Sequence, residues 1–483
     1  VPPVTRALPG LVIAMLMGAL DQTVMTPALP AVAGDLGGLD QMPLVATAYL
    51  VAATAVMPLY GKLGDRFGRK PLMQAAIVIF VAGAVLCALA TTMPQLVAFR
   101  AVQGAGGGGL MIGAQAVLGE LVSPRERGRY LGLIGAAYVV AAVGGPVLGG
   151  LVVDGLGWRW IFAVYPPLGL AALVVLTRTL RLPRPPAGPP VDYAGALTLA
   201  LTVVGLVVGV TAAPGGGPGW LALAAAAGLA WLATARRAAD PVLPLRLFRD
   251  RAFAVPAATG FLIGFALFGT LTYLPAYLQI AQGATATGAG TVVTVLMAGV
   301  LVTTVGSGRL ITRTGRYKAY PVAGTALATA GMALLAATTV TDSVTDSTVP
   351  AMAALLLLGL GVGLVMQVMV LAAQNAVPYA DLGAATSAVT LLRQVGASLG
   401  VAAAGALATW RFTELYGGAV TELTPQAIAR LPEDARQAVA AAFGQALPPV
   451  FAAMTPLLGL AFLLTLALPA RPLRTTAHTG GPS

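Results

Sequence analysis

The stretch Gly61–Lys70, GKLGDRFGRK, decides how this chain is read. It places five charges in ten residues, in a chain where charged residues make up only 9% of the total. Apolar runs flank it on both sides, so it reads as a short polar hairpin between two membrane spans. The whole chain agrees: 483 residues, 58% apolar, with a mean hydropathy of +0.86. A soluble globule carries roughly a quarter of its residues as charges.

Working outward, apolar segments recur at about 8–29, 43–60, 71–91, 95–118, 130–152, 160–177, 193–212, 220–235, 254–279, 288–308, 319–340, 350–374, 383–409 and 450–469, each long enough to be read as a transmembrane helix. The run from Leu8 reads as a retained span rather than a signal peptide. Fourteen spans put both termini on one side. With the N-terminus inside, 22 of the 28 Lys and Arg residues fall in inside loops. Only Arg159, Arg411, Arg430 and Arg436 fall outside, and this asymmetry predicts cytoplasmic termini. The net charge of +11 is therefore spread over alternate loops, not gathered into a nucleic-acid surface. Cys87 is the only cysteine and His478 the only histidine, which excludes an intrachain disulfide and a histidine proton relay. There is no metal-ligand cluster, nucleophile–base set or phosphate loop, so the chain is not read as an enzyme. Gly106–Gly109 lie inside an apolar run and belong to a helix.

The hairpin has a second copy. Gly308–Tyr317, GRLITRTGRY, follows the second span of the second half as Gly61–Lys70 follows the second span of the first. The basic, proline-containing stretches 178–192 and 236–251 bracket two central spans, leaving six on each side. This predicts an all-α membrane protein in four parts. They are a bundle over 1–180, a linker over 181–252 with two helices, a second bundle over 253–470 and a tail over 471–483. Within the second bundle, 411–449 lies outside the membrane. The spacing in Gly61–Lys70 resembles the loop between helices 2 and 3 of major facilitator superfamily transporters. The two additional central helices make the chain similar to the 14-helix drug:proton antiporters of that superfamily. The resemblance covers nearly the whole chain. It implies two six-helix bundles with a substrate site between them near the midplane, and a latch on the cytoplasmic side formed by Gly61, Asp65, Arg66, Gly68, Arg69 and Lys70.

Asp21 is the one acidic residue deep in an apolar span, about 20 Å from the inner boundary at 1.5 Å per residue. An intramembrane carboxylate is costly and a functional candidate by default. Arg100, about 9 Å below the outer surface, sits at similar height and is its expected partner. The stretches Leu20–Thr23 and Arg100–Gly104 resemble the first- and fourth-helix motifs of the exporters, which implies proton coupling through Asp21 and Arg100. A static ion pair locking the two helices is the alternative. In span 5, Gly132, Gly145, Pro146, Gly149 and Gly150 match the family's antiporter pattern G-x8-G-x3-GP-x2-GG, with Ala141 replacing one glycine. Small residues let helices approach closely and Pro146 bends the helix. Tyr165 stands where such exporters usually carry asparagine.

Candidate substrate contacts are Gln22, Thr23, Met25, Gln103, Phe265, Phe268, Tyr273, Tyr277, Gln279, Gln367, Gln374, Asn375, Arg393 and Gln394, with Met366 and Met369 as adaptable lining. Arg393 is a second buried cation with no obvious acidic partner, suited to an anionic ligand or to backbone carbonyls. The reading is a proton-driven exporter of amphipathic small molecules from the cytoplasm of a bacterium. It would sit in the plasma membrane among lipids as a monomer, with no cofactor beyond the proton gradient. A single deep carboxylate suits monocationic, zwitterionic or neutral drugs. A lipid exporter is the alternative, given the low polarity of these candidates and an amphipathic segment over 421–448. A non-transporting sensor is a third reading. The second hairpin has Thr312 where the first has Asp65, and Thr272 aligns with Asp21. The halves are thus expected to differ in carrying the carboxylates.

Overall fold

The computed structural model describes residues 3–37, 41–182, 191–211, 217–281, 286–338, 348–417 and 432–475. Part of the basic stretch (183–190), the outer segment over 418–431, and the tail from 476 with His478 lie outside the described residues. The described residues are helical nearly throughout. The first half contains α1 (Pro3–Leu36), α2 (Met42–Phe67), α3 (Arg69–Ala88), α4 (Met93–Leu121), α5 (Pro124–Leu156), α6 (Arg159–Ala163) and α7 (Tyr165–Thr179). Then come α8 (Tyr193–Thr211) and α9 (Gly217–Arg237). The second half contains α10 (Arg251–Ile280), α11 (Ala286–Thr314), α12 (Ala319–Thr338), α13 (Thr348–Ala376), α14 (Leu382–Tyr416), α15 (Glu433–Ala446) and α16 (Pro448–Leu466).

Thirteen helical stretches among the described residues are long and apolar enough to cross a membrane. Helix α4 is the fourteenth. Arg100, Gln103 and the glycines of 104–109 lower its hydropathy, but the glycines are what let it sit between α2 and α3. A Cβ on Gly106 would fall on the backbone of Phe80, and one on Gly108 on that of Ala53. Close backbone approach of this kind replaces the missing hydrophobic drive between helices in lipid. Large apolar side chains such as Leu151, Leu197 and Leu229 point outward, as lipid contact requires. The chain is a multi-pass membrane protein.

The halves repeat. In the first, α1 packs on α5, α2 and α3 on α4, and α3 on α7; in the second, α10 packs on α14, α11 and α12 on α13, and α12 on α16. Two six-helix bundles result, with α8 and α9 packed on each other and α8 lying along both α2 and α14. The hairpin glycines repeat too. Gly68 ends α2 at φ 93° and Gly315 ends α11 at φ 69°, left-handed conformations that a side chain would strain. The bundles meet chiefly along two equivalent seams, α2 on α14 and α5 on α11. Together these make the major facilitator fold, with two additional central helices.

Candidate functional site

At the hairpin end, Gly61 lies against the start of α14: a Cβ there would sit 2.6 Å from the carbonyl oxygen of Gly383. That proximity, rather than turn geometry, explains Gly61. One turn on, Asp65 accepts hydrogen bonds from the backbone N–H groups of Gly383 at 2.9 Å and Ala384 at 3.0 Å. The first N–H groups of a helix have no internal partners and carry its positive dipole end, so a carboxylate fits there. Asp65 also pairs with Arg69, whose Nε donates to Glu120 at 3.0 Å. Lys70 donates to the carbonyl of Thr177 at 2.8 Å, and Arg66 lies beside the Phe67 ring. Glu120 and the α14 terminus were not singled out from sequence. Gly383 and Ala384 act through main chain alone, which no residue pattern reveals.

The second seam uses the opposite sign. Arg125, in the first turn of α5, donates to the carbonyls of Thr312 at 3.4 Å and Arg313 at 3.3 Å, at the C-terminal end of α11. A cation suits that negative dipole end. Beside it, Gly128 and Gly308 bring α5 and α11 into backbone contact. Thr312 Oγ1 bonds within its own helix, to Gly308, so the second hairpin is engaged through its carbonyls.

A polar cluster lies inside the first bundle. Arg100 Nη1 is 2.6 Å from Asp21 Oδ2 and 2.9 Å from Gln103 Oε1, and Gln103 Nε2 donates to Asp21 Oδ1 at 2.9 Å. The guanidinium stacks 4.5 Å from the Tyr49 ring centroid, and its Nε reaches the Val45 carbonyl at 3.4 Å. The Tyr165 ring lies close to the same carboxylate. Cys87 Sγ lies 3.6 Å from Gln103 Oε1. Asp21 and Arg100 are each only 1% exposed. A buried charge pair needs such supporting bonds to exist. Tyr49, Cys87 and Tyr165 were not assigned a role from sequence, because an isolated tyrosine or cysteine in an apolar run gives no signal of what it faces.

Between the bundles is a cavity of about 450 Å³. Gln22, Thr23, Phe268, Met366, Gln367, Arg393 and Gln394 line it, joined by Met15, Met111, Gln115, Tyr138 and Thr272. Asp21 does not: it lies behind the wall formed by its neighbours Gln22 and Thr23. Several sequence candidates point elsewhere. Gln103 is taken up by Asp21. Tyr277 packs edge-on to Phe451, with centroids 6.1 Å apart, and Tyr273 donates to the Val401 carbonyl. Gln374 bonds Thr386 and the Gln115 carbonyl, and Asn375 reaches the Pro472 carbonyl at 3.4 Å. Met25 and Met369 are core residues, and Phe265, whose main chain meets Gly400, is not among the lining residues. Gln279 lies at the end of α10, outside the cavity. Lining depends on helix rotation, which composition does not encode.

The glycine pattern of α5 divides along its length. Gly132 sits under the Thr304 carbonyl across the second seam, with a Cβ position 2.8 Å away. Gly145 meets Thr23 and Gly149 meets Val24 on α1. Thr23 Oγ1 donates to the Ala141 carbonyl at 2.9 Å, tying α1 to α5 two residues from Asp21. Pro146 faces outward, and Gly150 has no neighbour within 4 Å of its Cβ position.

Comparison with known proteins agrees with this architecture. An uncharacterized MFS-type transporter of Mycobacterium tuberculosis is 38% identical over 96% of the chain and 69% of that protein. The multidrug transporter protein MdtP of Bacillus subtilis is 33% identical over 83% of the chain and 75% of its own length. The efflux pump FUS6 of Gibberella fujikuroi is 30% identical over 80% and 72%. Among solved structures, the proton:xylose symporter XylE superposes with a TM-score of 0.66 at 15% identity, over 97% of both chains. A bacterial homologue of the iron transporter ferroportin, in its outward-facing state, gives 0.69 at 13%, over 97% of this chain and 99% of that one. With these relatives, and with the Major Facilitator Superfamily model matching residues 11–401, the chain belongs to the Major Facilitator Superfamily.

Proposed function

We propose that this transporter is a proton-coupled antiporter that exports amphipathic small molecules from a bacterial cytoplasm by alternating access. The observation that carries the reading is the position of Asp21. Its carboxylate is enclosed with Arg100 and Gln103, while the next two residues of the same helix, Gln22 and Thr23, line the central cavity. Protonation of Asp21 weakens its hold on Arg100 and changes how α1 sits against α5, through Thr23 and the Ala141 carbonyl. The cavity wall therefore feels the proton without substrate touching the carboxylate. The names of the multidrug and efflux relatives support the export of drug-like molecules over lipids.

The bundles are read as closed on the cytoplasmic side, where the basic hairpins lie. Both termini are then cytoplasmic, and the cavity belongs to the outward-facing arm of the cycle. The units are the bundles 1–180 and 253–470, the linker 181–252 and the tail 471–483, in a monomer. The test is transport by purified protein in proteoliposomes across an imposed pH gradient. Coupled proton and substrate fluxes in opposite directions are expected. Substrate flux that ignores the gradient overturns the reading.

A further inference from the structure

The cavity between the bundles has one formal charge on its wall, and it is positive. Among its lining residues only Arg393 is ionised. Arg393 is 9% exposed, and among the described residues it makes no hydrogen bond and no ion pair. Its backbone is fixed by α10, where Gly264 packs directly on the Arg393 carbonyl. The charge therefore has a set place in the wall. The deep carboxylate of the first bundle, Asp21, is outside the cavity and already paired with Arg100.

A second donor lines the same cavity, near Thr390, one turn before Arg393 on α14. Gln115 Nε2 is buried in the cavity wall with no partner, and Gln115 Oε1 lies 3.5 Å from the hydroxyl of Thr390, whose hydrogen goes to the Thr386 carbonyl at 2.9 Å. The rest of the wall is largely apolar and thioether, including Met15, Phe268 and Met366. An always-charged guanidinium in such surroundings calls for an anionic partner, and it presents a fork of donors suited to a carboxylate.

We propose that the cavity is built for lipophilic monoanions: amphipathic molecules whose carboxylate docks on Arg393 and Gln115 while an apolar body fills the thioether and aromatic wall. The proposal rests on the reading that this cavity holds the transported molecule. It reverses the preference for cations that a lone intramembrane carboxylate suggests.

Binding of three probes that share one apolar body tests it: the radiolabelled carboxylate 4-(1-naphthyl)butyrate, its primary amide and the corresponding primary amine, measured on the purified full chain by scintillation proximity. The wild type is expected to bind the butyrate at least about tenfold more tightly than the amide, and the amine most weakly. In Arg393→Gln the butyrate-to-amide ratio should fall towards one, while Arg393→Lys should keep a preference for the butyrate. Amide binding by each variant reports that the cavity is still formed. A wild type that binds butyrate and amide alike overturns the proposal, as does a ratio unchanged in Arg393→Gln. Efflux of the three probes from wild-type proteoliposomes is a separate arm. Absence of efflux for all three removes the exporter reading while the binding ratio still judges the charge preference.

Discussion

Asp21 is satisfied by its surroundings and yet enclosed, so its chemistry and its structural role are separable by substitution. Breaking a buried pair leaves one charge uncompensated and costs about 3–5 kcal/mol, whereas replacing both partners with neutral groups costs far less. Asp21→Asn should therefore lower the thermal stability of the purified protein, and Asp21→Asn with Arg100→Gln should recover much of it. Neither should accumulate substrate against an imposed pH gradient, and coupling in the double variant would show the pair to be a helix lock only. Asp35 makes the contrast. Beyond the apolar part of α1 it pairs with Arg159 and accepts from Trp158 Nε1 at 3.1 Å, and these bonds, Arg159 first, hold its pKa below the ordinary 3.8. A lowered pKa means the contact is fully present above the ordinary value and is lost only as pH falls through the lower one. Asp35→Asn should thus leave the pH profile of transport unchanged from neutral to mildly acidic medium, measured alongside the Asp21 variants. The height of Asp21 and Arg100 was legible from residue counts, because rise per residue is fixed. Their companions were not, since helix rotation decides what a tyrosine faces.

At the scale of the element, α5 shows that a sequence motif is not one function. Gly145 is held against Thr23, so Gly145→Ala should displace α1 and impair transport. Gly150 faces open space, and Gly150→Ala should transport normally and gain about 0.5–1 kcal/mol, since alanine is the better helix former. Transport assays and melting curves on the two variants check this pair; equal damage would mean that α5 repacks elsewhere in the cycle. Helix α4 makes the converse point. Its glycines depress its hydropathy, yet the run 95–118 was still legible in the sequence as an apolar span. The repeat of the hairpin was legible because Gly68 and Gly315 both need a conformation that other residues avoid.

At the scale of the molecule, the two seams act as charge–dipole clasps, Asp65 on the positive end of α14 and Arg125 on the negative end of α11. Such contacts contribute about 0.3–1 kcal/mol at exposed sites and up to about 2 in buried ones. Loss of one should move the balance between bundle orientations by up to about 30-fold. Spin labels placed at the hairpin ends of the two bundles should show a longer separation in Asp65→Asn and in Arg125→Gln, with the larger change in the former. The linker reinforces the same end. Lys62 pairs with Asp240, and Arg246 Nη2 meets the carboxylate of Asp381 at 2.8 Å, so a strap between α9 and α10 reaches both bundles beside the first clasp. The energetics of the proposed exchange follow from charge. A monoanion leaving in exchange for one entering proton moves two positive charges inward, about 4.6 kcal/mol per 100 mV of inside-negative potential. Export of 4-(1-naphthyl)butyrate at fixed pH gradient should therefore respond more steeply to a clamped potential than export of its amide.

Both clasps grip the second bundle by its main chain: the N–H groups of Gly383 and Ala384, and the carbonyls of Thr312 and Arg313. A clasp that reads peptide groups places few demands on the side chains of the residues that supply them. The second bundle can therefore change what its cavity face recognises, Arg393 included, without renegotiating how the transporter shuts.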